Sequence, residues 1–135
     1  MQKQNKTMKK VSLMLLFSML LCGAVVAQNK ANMRFVKTTY DFGRIQEQIG
    51  EVATIFEFTN TGKTPLIINR VQASCGCTTP SYSKEPVLPG KKGQITAKYS
   101  TTGRPGTFNK TISVYTNVPD TIYVLTIKGN VIPKK

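Results

Sequence analysis

The residues with the clearest chemical potential are two cysteines separated by one glycine, Cys75-Gly76-Cys77, near the middle of a 135-residue chain. Three states are open for them. The thiols can pack as small apolar groups, a disulfide can close across Gly76, whose backbone freedom favours a tight approach, or two thiolates can bind a soft metal such as Cu(I). The pair differs from a thioredoxin-like motif, which has two intervening residues and adjoins a βαβ pattern.

The composition gives little support for catalytic chemistry beyond this cysteine pair. The chain has no histidine, which excludes histidine acid–base catalysis, Ser-His-Asp triads and most zinc sites. Its six acidic residues are scattered, and none forms a visible pair with a serine or threonine. We therefore predict a protein that is not an enzyme, with no catalytic residues and no cofactor.

One short pattern suggests a modification. Asp120-Thr121-Ile122 resembles the acidic–hydroxyl–aliphatic sequon that some envelope bacteria use for O-glycosylation. The same three residue types also suit an unmodified junction between a turn and a strand. Thr121 is therefore a candidate O-glycosylation site, with the unmodified junction as its alternative.

The beginning of the chain predicts export. Four lysines precede an apolar run from Val11 to Leu21, and Val25-Val26-Ala27 supplies small residues before Gln28. This order is typical of a secretory signal peptide, so we predict that residues 1–27 are removed and that residues 28–135 form one domain. A membrane anchor and a lipid attached to Cys22 are the alternatives. The anchor would be short for a span, and Leu21 fills the position where lipoproteins usually carry a small residue.

Cleavage leaves a basic protein of modest size. The 108 remaining residues suffice for one core, and losing Lys3, Lys6, Lys9 and Lys10 lowers the formal charge from +13 to +9. A basic balance favours anionic neighbours, although scattered lysines also suit an ordinary solvated surface. No run of basic residues exceeds two, and no block of aromatic and basic residues suggests RNA binding. We predict no nucleic-acid partner and no transmembrane span after cleavage.

The remaining sequence alternates like an all-β protein. Its segments have strand periodicity, no window has a helical period, and Pro80, Pro86 and Pro89 predict a loop from Thr79 to Pro89. Gly43 suggests a bulge in an edge strand. The pattern predicts an immunoglobulin-like β-sandwich of about seven strands. The predicted strands cover Met33 to Ile45, Glu51 to Thr59, Leu66 to Val71, Gln94 to Ser100, Thr107 to Thr116 and Thr121 to Ile132, with Phe56, Phe58, Ile95, Ala97, Tyr99, Phe108, Ile112 and Val114 facing the core.

Several short motifs together resemble those of the bacterial domain-of-unknown-function 1573 family. They span about Phe35 to Ile132, and the most specific is Ser74-Cys75-Gly76-Cys77-Thr78. The looser Asn-Thr-Gly and Pro-Gly pieces are similar to those of immunoglobulin-like domains of the hydin and major-sperm-protein type. The resemblance implies an exported or envelope-associated immunoglobulin-like domain and implies no known activity. The other motifs are Asp41-Phe42-Gly43, Asn60-Thr61-Gly62, Pro65-Leu66-Ile67-Ile68, Pro89-Gly90, Gly106-Thr107-Phe108 and Lys128-Gly129.

Two functions from different classes follow. The first is a non-enzymatic, periplasmic or extracellular module that binds or scaffolds another envelope protein or an anionic envelope polymer. The second is a small protein that handles thiols or Cu(I) through Cys75 and Cys77. Counting the free thiols of the mature protein, with and without denaturant and reductant, would discriminate between them.

Overall fold

The computed structural model describes residues 29–135. The predicted signal peptide, its cleavage site before Gln28 and the alternative lipid site at Cys22 lie outside these residues. In the part described, no helix is both long and apolar enough to cross a membrane.

Two four-stranded sheets pack face to face, which confirms the predicted all-β sandwich. Sheet A has the order β1-β3-β6-β5, and sheet B has the order β2-β8-β7-β4. A single 3-10 turn, Glu47–Ile49, interrupts the strands of the described chain. The strands are β1 Met33–Phe35, β2 Thr39–Gln46, β3 Glu51–Asn60, β4 Ile68–Ala73, β5 Thr78–Tyr82, β6 Lys92–Ser100, β7 Gly106–Thr116 and β8 Ile122–Ile132.

The core lies between the sheets and contains the residues predicted from alternation. Successive side chains of a strand point to opposite faces, and in β6 this buries Ile95, Ala97 and Tyr99. The inward residues of β3, which pairs with β6 in sheet A, are buried as well, as are those of β7 in the facing sheet B. All of the predicted core residues are buried: Phe56, Phe58, Ile95, Ala97, Tyr99, Phe108, Ile112 and Val114.

The opening segment is divided between the sheets. We predicted one extended segment from Met33 to Ile45, but β1 pairs antiparallel with β3 while β2 pairs parallel with β8. The chain therefore crosses from sheet A to sheet B between these strands. The predicted bulge at Gly43 is confirmed, because this residue has a φ of 67° and the register of the β2 edge strand shifts between Asp41 and Arg44.

One strand lies where the sequence predicted a loop. Residues 78–82 form β5, which pairs antiparallel with β6 at an edge of sheet A. Proline cannot donate to a ladder, so it is tolerated in an edge strand whose outer side has no partner. Pro80 occupies such a strand, and the prediction of a loop from Thr79 onward was wrong for this reason.

Candidate functional site in the Cys-Gly-Cys turn

The two cysteines lie in the turn through which the chain passes from sheet B to sheet A. Only residues 74–77 separate β4 from β5. On one side, the Ser74 N–H donates to the Thr111 carbonyl over 2.9 Å, and the Thr111 N–H donates to the Ser74 hydroxyl over 3.2 Å. On the other side, the Ser100 N–H donates to the Cys77 carbonyl over 3.0 Å. The turn is thus anchored to both sheets.

The structure brings Cys75 and Cys77 together as a disulfide across Gly76. Their Cα atoms lie 5.3 Å apart, whereas an extended strand would separate them by roughly 6.5 Å. The bend of the chain achieves this approach without a conformation that requires glycine. Gly76 has no positive φ, and a Cβ placed on it would meet nothing within 4 Å.

A buried threonine hydroxyl lies beside both sulfur atoms. The Oγ1 atom of Thr78 is 3.7 Å from the Cys75 Sγ and 3.8 Å from the Cys77 Sγ. A disulfide sulfur carries no hydrogen, so the donor is the Thr78 hydroxyl, whose single hydrogen is shared between the two contacts. Cys77 is 8% exposed and Thr78 only 4%, while Cys75 is half-buried. The sequence reasoning gave Thr78 no role, since only the turn places its hydroxyl at the sulfurs.

Lys110 is a cation beside the turn, because it adjoins Thr111, whose backbone bonds to Ser74. Ala73 pairs with Ile112, and the bond from Ser74 to Thr111 continues that register. The same register, continued two residues past Ala73, would lead from Cys75 to Lys110. Lys110 is half-buried and occupies an inward position of β7, between the buried Phe108 and Ile112. No sequence signal distinguishes this lysine from the others.

Aromatic side chains close the core behind the turn. Tyr99 pairs with Thr78 across the β5–β6 ladder, and its ring stacks on Phe108 with a centroid separation of 3.8 Å. Burial raises the pKa of the Tyr99 phenol, and the Arg104 guanidinium partly opposes this shift. Desolvation has this effect because it disfavours the phenolate.

The other candidate residues are not brought to the cysteines. Met33, the only methionine beyond the predicted signal peptide, is buried in β1 and pairs with Asn60 at the opposite end of the sandwich. Within residues 29–135, no group of three or more histidine, cysteine or acidic side chains is placed to hold a metal ion. Thr121 lies in the tight connection between β7 and β8, where its hydroxyl donates to the Pro119 carbonyl over 3.0 Å. Its O-glycosylation stays a prediction.

Most of the acidic side chains stabilise the fold or pair with lysines. The Glu47 carboxylate accepts hydrogen bonds from the Gly103 N–H at 2.8 Å and the Lys134 N–H at 3.0 Å. Glu51 and Glu57 form ion pairs with lysines of β6, and Asp41 contacts Lys128 on β8. The two sulfur atoms therefore remain the candidate chemical site.

The chain belongs to the family described as "Protein of unknown function (DUF1573)", whose match covers residues 33–131. This confirms the resemblance seen in the motifs. No curated protein matches the chain. Family membership therefore comes without an assigned activity.

Solved structures share the fold at low sequence identity. A protein of unknown function from Porphyromonas gingivalis W83 has a TM-score of 0.65 and 17% identity, over 82% of this chain and 51% of that one. The VesB protease of Vibrio cholerae has a TM-score of 0.55 and 12% identity, over 77% and 32% of the two chains. A family 123 glycoside hydrolase from Clostridium perfringens has a TM-score of 0.55 and 12% identity, over 72% and 23%. The chain thus spans about half or less of these proteins, and the likeness concerns the fold alone.

Proposed function

We propose that the protein is an exported, non-enzymatic module that binds another protein of the cell envelope through the outer face of sheet B. Export is supported by the pattern of residues 1–27. The observation that carries the binding role is an exposed apolar pair on β8, Ile122 and Val124, which are 56% and 50% exposed. Exposed apolar residues that cluster on one face are typical of interaction surfaces.

The neighbours of this pair resemble the residues common at protein interfaces. Tyr115 pairs with Ile122 on one side and with Arg70 on the other. The Arg70 guanidinium lies 4.2 Å from the centre of the Tyr115 ring. Arginine and tyrosine are enriched at interfaces because each combines a large contact area with directional hydrogen bonds.

The outer face of sheet A is different, because it carries two close ion pairs, whereas the Asp41–Lys128 contact on sheet B is longer, at 4.0 Å. Glu57 pairs with Lys92 at 3.1 Å, and Glu51 pairs with Lys98 at 3.4 Å. Such exposed pairs add little stability, but they leave a balanced polar surface. Sheet B therefore offers the better docking face.

Strand β8 also has room for a partner strand. Its register with β2 begins at Thr126, so within residues 29–135 the segment 122–125 is paired only with β7. A strand edge without a partner can receive a segment of another chain through backbone hydrogen bonds. The apolar pair and the free edge together favour a protein over an anionic polymer.

The test compares two exposed isoleucines, one on each sheet. Ile122 and Ile55 are both 56% exposed, so Ile122→Lys and Ile55→Lys make the same change at matched exposure. We expect Ile122→Lys, alone or with Val124→Lys, to weaken binding to the purified envelope partner at least about tenfold, as for a central interface residue. Ile55→Lys should leave it unchanged. Crosslinking in an envelope extract identifies the partner, and titration with the purified partner measures the affinity.

Equal binding by all variants would contradict the proposed face. Binding that is lost in high salt and competed away by purified anionic polysaccharide would instead indicate the polymer, because screening acts on exposed charges and not on apolar contacts. Thermal unfolding of each variant checks that the fold persists.

A further inference from the structure

The cysteine turn combines features that point to a second activity, independent of the proposed docking face. The sulfur pair is anchored between the sheets, one sulfur is half-buried and the other buried, and the Thr78 hydroxyl contacts both. We propose that Cys75 and Cys77 form a redox-active pair that exchanges disulfides with a protein dithiol, with Cys75 as the sulfur that bonds to the partner.

Access to the pair is open on its outer side. Gly76 is exposed, and a Cβ placed on it would meet nothing within 4 Å. A partner's thiolate can therefore approach over the glycine toward the half-buried Cys75. Cys77, at 8% exposed, is shielded from direct attack. This difference in burial gives the two sulfurs different roles.

The exchange is balanced in two steps. A thiolate of the partner's dithiol attacks the Cys75 Sγ, the bond between the two sulfurs breaks, and Cys77 leaves as a thiolate that accepts a proton. The partner's second thiolate then attacks the partner's first sulfur, which is bonded to Cys75 in the mixed disulfide. Cys75 leaves as a thiolate and is protonated in turn. The partner is oxidised to a disulfide, and the cysteine pair is reduced by the same two electrons.

Two groups beside the pair act to stabilise a thiolate, against the desolvation of the buried Cys77. A hydrogen bond from a hydroxyl and a nearby cation each stabilise a thiolate relative to a thiol. The Thr78 hydroxyl is placed for the first effect, and Lys110, next to the Thr111 that bonds to Ser74 of the turn, for the second. A disulfide that closes so small a ring constrains the unfolded chain weakly. Its reduction should therefore leave the sandwich folded.

The first experiment measures whether the pair can be reduced in the folded protein. Residues 28–135 are equilibrated with dithiothreitol at graded ratios of dithiol to disulfide, and free thiols are counted by alkylation and mass spectrometry. Circular dichroism follows the fold in the same samples, since the chain has no tryptophan to report on it. We expect two free thiols to appear while the fold persists. Reduction that occurs only on unfolding would overturn the proposal.

Single cysteine variants test the assignment of the attacked sulfur. In Cys77→Ser, Cys75 keeps a thiol but has no internal partner, so a mixed disulfide with an added thiol reagent should persist. Cys75→Ser leaves only the buried Cys77, and its mixed disulfide should form at least about tenfold more slowly, because reaction depends on access to the thiolate. Equal rates for the two variants would contradict the role of Cys75.

Paired substitutions test the hydroxyl and the cation. Thr78→Val should slow exchange about tenfold, whereas Thr78→Ser, which keeps the hydroxyl, should stay within about twofold. Lys110→Met should shift the pH dependence of alkylation of the reduced pair to higher pH. Lys63→Met makes the same charge change at the opposite end of the sandwich and should leave that profile unchanged. If Thr78→Val exchanges as fast as Thr78→Ser, the hydroxyl does not assist the leaving thiolate.

Discussion

The two ends of the sandwich carry different kinds of motif. At one end lies Asn60-Thr61-Gly62, and at the other lies Cys75-Gly76-Cys77. At the asparagine end, packing and hydrogen bonds account for each motif residue. At the cysteine end, the fold depends less on the identity of the motif residues. The asparagine motif stabilises the domain, whereas the cysteine motif is available for chemistry.

Asn60 is a buried hydrogen-bonding centre. It has no exposed surface, and its side-chain amide donates to the carbonyls of Thr64 at 2.8 Å and Val87 at 2.9 Å. Its Oδ1 atom accepts from the backbone N–H groups of Gly62 and Asn32. One side chain thus bonds to four backbone groups of the loops, and the Val87 carbonyl among them also accepts from the Leu66 N–H. Such pairing is the usual requirement for a buried amide.

The glycines of the two motifs differ in the space that a Cβ would have. A Cβ on Gly62 would overlap the backbone of Lys30 and Asn32, so only glycine fits there. A Cβ on Gly76 would stand in open space. Gly129 resembles Gly62, because its Cβ would lie 2.9 Å from the Phe108 ring. Steric need therefore explains Gly62 and Gly129 but not Gly76.

The largest expected effect is at the asparagine end. Asn60→Ala should lower the free energy of unfolding by about 3–4 kcal/mol, because buried backbone groups lose their partner at about 1–3 kcal/mol each. Urea unfolding followed by circular dichroism measures the change. Asn69→Ala, at an exposed asparagine of β4, is the matched control and should change stability little. If both variants unfold alike, the hydrogen bonds of Asn60 do not stabilise this end as described.

A smaller effect separates the two glycines. Gly62→Ala should destabilise the protein by roughly 1–3 kcal/mol, because the added methyl overlaps backbone that cannot move freely. Gly76→Ala should stay within about 0.5 kcal/mol of the wild type. Thermal midpoints of the two variants under identical conditions check this. A strongly destabilised Gly76→Ala would show that the cysteine turn also depends on glycine for its structure.

The smallest effect is a pH dependence at the cysteine end. Burial raises the pKa of Tyr99 in the folded protein. The stability that Tyr99 contributes is therefore complete below the pKa of an unfolded tyrosine, about 10, and is lost as the pH rises above that pKa. Tyr99→Phe should therefore make the alkaline loss of stability shallower. Urea midpoints at about pH 8 and about pH 11 measure it. Tyr40→Phe, at a tyrosine that is 41% exposed, is the control variant.

Local patterns were sufficient to predict much of this protein. Alternation in the strands identified the sandwich and the buried residues of β3, β6 and β7, because the side-chain period of two translates directly into an inner and an outer face. The Gly43 bulge and the family were also predicted, the latter from short motifs. The type and order of residues determine these features without knowledge of long-range pairing.

Tertiary structure decided what depends on pairing between distant segments. Pro80 predicted a loop, yet its segment lies at a sheet edge where a missing N–H is tolerated. Thr78 reaches both sulfurs only because the chain turns between the sheets, and Lys110 lies near the turn only through the pairing of β4 with β7. The sequence determined which residues can react and which can pack. The pairing of the strands decided which of them meet, because contacts between distant segments depend on the register and stacking of whole sheets.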